Sequence, residues 1–190
     1  MKNNLKIAIL ITLVTTVLFG VIYPLAVTAL AQVLFPTQAN GSLIQRNGQV
    51  VGSQLLGQAF SSSGYFHSRP SNAGTGYDAS QSSASNLGPT NHQLVDRVKA
   101  DVEKLQAENP SGPVPVDLVT SSGSGLDPEI SPAAAEFQIP RVARERGISE
   151  PDVRSLLAKH TLARQLGLLG EPRVRVLELN LDLDATRPQK

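Results

Sequence analysis

Cysteine is absent from the 190 residues. That excludes disulfides, thiolate zinc sites and cysteine catalysis, while leaving the redox compartment open. Tryptophan is also absent and aromatic residues make up 4% of the chain, which disfavours an aromatic-lined sugar site. Histidine is scarce: His67, His92 and His160 are scattered without metal-ligand spacing. No block of like charges marks an interaction tail or an anionic-lipid patch. The net charge is +1, and without Lys2 and Lys6 the remainder carries 15 basic against 16 acidic side chains. So near-neutral a body has no electrostatic footprint for nucleic acid.

Charge is missing most conspicuously from Ile7 to Phe35. As a helix at ~1.5 Å per residue this run is roughly 43 Å long, against a bilayer core of ~30 Å. Tilt, a kink at Pro24 or helix outside the bilayer absorbs the excess. Lys2, Lys6 and the terminal amine precede the run, and the next charge is Arg46. The positive-inside rule therefore places the N-terminus in the cytoplasm and residues 36–190 outside. Ala29-Leu30-Ala31 looks like a signal-peptidase site, but signal h-regions run only ~7–15 residues. The alternative is a secreted periplasmic binding protein or hydrolase released by signal-peptide cleavage. Ala8, Thr12, Thr16, Gly20, Pro24 and Thr28 recur every four residues. Small residues at that spacing form a candidate membrane packing face for another helix; plain tolerance of Thr and Ala in lipid is the other reading.

After the run, Asn47-Gly48 is a turn between short strands, one containing Val50-Val51. Ser61 to Asn91 is rich in Ser, Gly and Asn but is punctuated by Tyr65, Phe66, Arg69 and Tyr77. By composition alone this is a flexible loop or linker, while the aromatics point to docking onto the body of the domain. Thr90 to Asn109 reads as a helix with a Thr90/Gln93 capping box. Leu94, Val98, Val102 and Leu105 form its stripe, with Val95 beside it, for docking on a sheet. Val114 to Thr120 reads as a strand, the prolines at its start implying an edge or entry position.

The most distinctive stretch, Val119 to Gly147, begins with a loop in which Gly123 and Gly125 are permissive points, then turns at Asp127-Pro128. Ser131 is an N-cap and Pro132 suits the first helical position. Pro140 is expected to break or kink that helix, and Gly147 to cap a second short one. On that reading, Pro140→Ala would let the helix run straight and displace Arg141 and Arg144. Ser149 starts another helix through about Thr161, with Val153, Leu156 and Leu157 inward; Gly167 and Gly170-Glu171-Pro172 turn the chain. Arg173 to Asp184 reads as a strand, Leu177, Leu179, Leu181 and Leu183 alternating with polar residues, and a bulge near Val176-Leu177 restores the phase. The last residues read as a polar tail. Ser121, Ser122 and Ser124 lack a G-x-S-x-G elbow, and Gly123-Ser124-Gly125 is followed by no G-K-[ST]. The expected site inventory is therefore no catalytic residue, no metal and no identifiable cofactor-binding residue.

The central block, with Y-F-H-S-R-P-S (Tyr65 to Ser71), S-N-L-G-P-T-N (Ser85 to Asn91), V-P-V-D-L-V-T (Val114 to Thr120) and V-L-E-L-N-L-D-L-D (Val176 to Asp184), resembles the KdpC family. That family is the C subunit of the Kdp potassium-transporting P-type ATPase. Order and length agree, and the resemblance covers essentially the whole chain. It implies an α+β fold with one N-terminal transmembrane helix and a single mixed extracytoplasmic domain. It implies a non-catalytic accessory subunit, needed for assembly, in the cell (inner) membrane with the partners KdpA, KdpB and KdpF. The family is also described as a catalytic chaperone raising the ATP affinity of KdpB, with ATP and potassium handled by the complex. Partner-contact candidates are Tyr65, Phe66 and Arg69 in the loop and Pro140, Arg141 and Arg144 on the proline-containing helix.

Overall fold

A computed structural model describes residues 2–186; the polar tail expected at the C-terminus lies partly outside these described residues. The chain divides into one unit through Val51 and another from Gly52.

The first unit is dominated by a helical run, Lys2–Leu34, of 33 residues, long and apolar enough to cross a membrane and with no residue buried. It comprises α1 (Lys2–Val17), a π turn (Leu18–Ile22) and α2 (Tyr23–Leu34). Pro24 has no N–H to give the Gly20 carbonyl, and the chain widens: the Tyr23 amide donates to Leu18 O, one residue further back than in an α-helix. A stripe repeating every four residues drifts by ~40° per step on a 3.6-residue turn. A wider turn sets that drift back, so the π turn returns Pro24 towards the line of Thr12 and Thr16. A short helix α3 (Pro36–Ala39) follows, then β1 (Leu43–Arg46) and β2 (Gln49–Ser53) pair as a hairpin. Asn47 and Gly48 both have positive φ, 53° and 76°, as a two-residue hairpin turn requires.

The second unit holds α4 (His92–Glu108), a 3₁₀ turn (Val116–Leu118), β3 (Glu129–Ile130), α5 (Pro132–Arg146), α6 (Glu150–His160), β4 (Thr161–Leu162), β5 (Arg173–Arg175) and α7 (Val176–Thr186). The three short strands form one antiparallel sheet in the order β3-β5-β4. The fold is α+β, as the sequence suggests. Its core gathers Ile130, Ile139, Val142, Val153, Val174, Val176, Leu179 and Leu183 from the sheet and three helices.

Four local expectations are corrected. Arg173 to Asp184 is a strand only to Arg175; from Val176 it is helix. Buried Val176, Leu179, Asn180 and Leu183 follow helical spacing. Leucine is a good helix former, and β-branched residues stop at Val176. The phase slip at Val176-Leu177, read as a bulge, is the strand-to-helix switch. Helix α5 runs unbroken through Pro140. The side chains around the proline, Ile139 and Val142 at 0% exposure, lie in the core and hold the helix together. Val114 to Thr120 makes a 3₁₀ turn instead of an edge strand, since Pro113 and Pro115 remove ladder donors. The cap of α4 is Asn91, whose Oδ1 accepts from Gln93 N at 2.8 Å, so Thr90 stands one residue too early. The apolar stripe of α4 is only half-covered, with Leu105 alone of its residues against the main core.

Other start and stop signals hold. Ser131 Oγ accepts from Ala134 N at 3.0 Å, with Pro132 next. Gly147 caps α5 in the left-handed region at φ 61°. Ser149 caps α6, which buries Val153 and Leu157. Asp127 Oδ1 accepts from Glu129 N at 3.1 Å, the local bond that turns Asp127-Pro128.

Candidate functional site

Residues 61–91 contain no helix or strand. Where it enters the interior, at Gly64 and Phe66, its backbone polar groups need partners other than a ladder. Two amides on helices supply them. Asn180 of α7 accepts from Phe66 N and donates to Phe66 O, both at 2.9 Å. Gln138 of α5 accepts from His67 N at 2.8 Å and donates to His67 O at 3.0 Å. Each mimics one rung of a β-sheet. Phe66, clamped between them, is at 0% exposure in the core.

Two arginines of α5 complete the clamp. Arg141 Nη1 donates to Ser63 O and, at 2.9 Å, to Tyr65 O; Nη2 donates to Gln138 Oε1 at 2.7 Å. Its Nε lies 3.2 Å from the Glu108 carboxylate of α4. Burial lowers the Arg141 pKa, and Glu108 opposes that shift. Arg146 Nε donates to Gly64 O at 2.6 Å, and its Nη1 sits 2.9 Å from Asp184. The guanidinium carbon lies 4.6 Å above the Tyr65 ring. The Tyr65 hydroxyl donates to Asp184 at 2.9 Å. Burial raises the Tyr65 pKa first, and the Asp184 carboxylate raises it further. Burial likewise lowers the His67 pKa, with the Arg141 charge adding to the effect. His67 Nε2 lies 3.0 Å from Ser62 O, an acceptor only, so that nitrogen carries the proton of the neutral ring.

The other end of the loop is tied to the glycine segment. Arg69 Nη1 is 3.2 Å from Asp127 Oδ2, while its Nε donates to the Thr120 carbonyl and its Nη2 to the Ser121 carbonyl, both at 3.4 Å. Ser71 Oγ donates to Gly125 O at 2.6 Å and accepts from Tyr77 N at 2.8 Å. Gly125 takes φ 69°, and a Cβ there would stand 2.7 Å from Ala73 N and Ser83 O, so only glycine fits. Gly123 has open space around it and ordinary φ. Between the loop and α4 lies a cleft of about 280 Å³, lined by Phe60, His67, Arg69, Lys104, Leu105 and Glu108 among others.

The expected contact residues therefore separate. Phe66 and Arg141 face inward, at 0% and 6% exposure, and Tyr65 and Arg69 are half-buried. Pro140 is half-buried, and Arg144 alone of the six is exposed. Thr12, Thr16, Gly20 and Pro24 lie on the exposed membrane-length helix. Ser121 Oγ accepts from Arg97 at 2.7 Å and Ser124 Oγ accepts from Leu126 N at 3.1 Å; Ser122 is buried. Sequence reasoning missed Gln138, Arg146 and Asn180. The available signal was polarity out of place: each sits at helical spacing among core residues, where a buried polar side chain implies a partner.

These observations define a class: a small α+β domain carried behind one helix long and apolar enough to cross a membrane. Comparison with known proteins places it further. The chain belongs to the KdpC family: the family described as "K+-transporting ATPase, c chain" matches residues 5–185. The potassium-transporting ATPase KdpC subunit of Koribacter versatilis is 61% identical, over 99% of this chain and 97% of its own. The KdpC subunit of Rhodopseudomonas palustris is 56% identical over 98% and 100%. That of Acidobacterium capsulatum is 58% identical over 96% and 98%.

Proposed function

We propose that this chain is the accessory subunit of a high-affinity, ATP-driven potassium import complex and is needed for its assembly. The carrying observation is that family membership spans residues 5–185, helix and domain together. In the proposed complex KdpA carries potassium, KdpB forms the aspartyl phosphate, and the small peptide KdpF completes the membrane part. ATP and potassium are handled by those subunits, and this chain is non-catalytic. The chain is held by a single pass, N-terminus in the cytoplasm and domain on the periplasmic or extracellular side, on the strength of Lys2, Lys6 and the charge-free run. A domain so placed cannot touch a cytoplasmic nucleotide. Any raising of ATP affinity in KdpB then passes through the membrane subunits as a coupling free energy.

Two measurements test this reading. Protease added outside spheroplasts removes the domain; protection, or release without detergent, contradicts the topology. Mild-detergent purification recovers the chain with the other Kdp subunits. A shorter mature chain recovered alone favours the secreted binding protein.

A further inference from the structure

His67 lines the cleft between the loop and α4, and its ring has a task separate from its backbone. Ring Nε2 donates to Ser62 O at 3.0 Å, and Tyr65 N donates to the same carbonyl at 3.1 Å. The ring thereby closes residues 62–67 into a tight lobe. Ser63 Oγ donates to Glu145 at 3.1 Å, and Arg146 Nε holds the Gly64 carbonyl from α5. The backbone of His67 is fixed by Gln138, and that of Phe66 by Asn180. The ring is therefore not what anchors the chain in the core. It can turn out into the cleft while both amide rungs stay made.

Charge around the ring is one-sided. Gln138 Oε1 accepts from His67 N and from Arg141 Nη2, which places the guanidinium beside the histidine. Arg141 Nη1 also holds Ser63 O, the carbonyl next to the ring's own acceptor. Asp101, Lys104 and Glu108 line the cleft from α4, and Arg69 and Tyr77 line it from the loop. The charges that act on the ring are Arg141, Glu108 and Lys104, two cations against one carboxylate. That carboxylate is already engaged by Arg141 at 3.2 Å. A proton on His67 adds a third cation where none of the counter-charge is spare, and like charges at short range disfavour it.

We propose that His67 is an acid-released latch: the neutral ring holds residues 62–65 in a closed lobe against α5, and the protonated ring swings into the cleft and loosens that lobe without unfolding the domain. The sign follows from linkage. In the latched form burial, and then the Arg141 charge, hold the ring below its ordinary value of 6.5. Swung into solvent it titrates near about 6.5. The open form binds more protons between the two values, so opening grows as pH falls through the window below about 6.5. On the topology proposed above the domain meets the pH outside the membrane, and the latch reads external acidity; the device itself works whichever side the domain occupies.

The test uses the full-length chain in detergent, so its outcome is independent of the topology. Amide hydrogen exchange is followed from about pH 7.5 to about pH 5, with each rate divided by the intrinsic chemical rate at that pH. Protection of Ser63 to Tyr65 falls at least about threefold across the window, and that of α5 and α7 falls by a smaller factor. The chain has three histidines, so imidazole ¹⁵N spectra resolve the His67 titration, identified by its disappearance in His67→Gln. Its midpoint lies below 6.5 and coincides with the loss of protection. Glutamine keeps an N–H donor and carries no charge, so in His67→Gln the protection of Ser63 to Tyr65 does not follow pH. An equal fall in variant and wild type overturns the proposal. So does a fall shared in full by α5 and α7, which is global unfolding, or a His67 titration that leaves Ser63 to Tyr65 unchanged. Where the variant proves less stable at neutral pH, the coincidence of the two wild-type midpoints decides.

Discussion

Asn180 and Gln138 stand in for a strand that the fold does not have. Both meet backbone N–H and C=O groups of the loop where Phe66 enters the core. Asn180→Ala leaves the Phe66 amide and carbonyl buried without their partner, at about 1–3 kcal/mol for each. The expected loss of about 2–6 kcal/mol is read by urea unfolding of the full chain in detergent; a loss below about 0.5 kcal/mol would mean water replaces the amide. His67 gives the fold a pH dependence of known sign. Its folded pKa lies below the unfolded value of about 6.5, so the unfolded chain binds more protons between the two values. This group's penalty is absent above about pH 6.5 and grows as pH falls through the window beneath it. Unfolding midpoints measured from pH 7.5 to 5 should fall for the wild type and fall less for His67→Gln; parallel curves contradict the assignment. The pairings of this network were not legible beforehand, because Gln138, Asn180 and Arg146 meet their partners across 71 to 114 positions of sequence. What was legible was local: Ser131, Gly147 and Ser149 were readable as caps because capping needs only the next few residues.

Helix α7 illustrates how an element is misread. Alternating leucines satisfy a two-residue period, yet the fully buried member of the polar set is Asn180, which a strand would have turned to water. Period alone could not decide over so short a stretch; the core contacts of Leu179 and Leu183 did. Pro140 was misread for the same reason. A proline signals a break locally, but the packing of Ile139 and Val142 on either side keeps α5 one continuous helix, so the break is absent. The apolar helix was legible in full, since a run without charge declares itself. Its π turn was not, although Pro24 was the visible cause. The small-residue face carries the prediction at this scale. Gly20→Leu places a bulky side chain where another helix is proposed to approach, and lowers recovery of the complex from mild detergent. Leu13→Ile, off that line, changes nothing. Equal recovery of the two variants removes the support for a packing face.

The molecule divides its tasks between an apolar helix and a polar-clamped domain. Several residues named for partner contact are spent inside the domain, on the clamp. That leaves Arg144 and the half-buried Tyr65, Arg69 and Pro140 as the outward members of the original set. It also explains why the blocks that carry the family resemblance lie far apart in sequence: Tyr65 to Ser71, the α5 block and the α7 block meet around Phe66. The central claim is that this chain is needed to assemble a working potassium pump. The most direct measurement is potassium-stimulated ATP hydrolysis by the complex purified with and without this chain, with subunit stoichiometry determined on the same samples. The account expects the complex without it to be incomplete and its stimulated hydrolysis lost; complete stoichiometry with lost activity shifts the role from assembly to regulation. Full stimulated activity from a complex wholly lacking this chain would contradict the account.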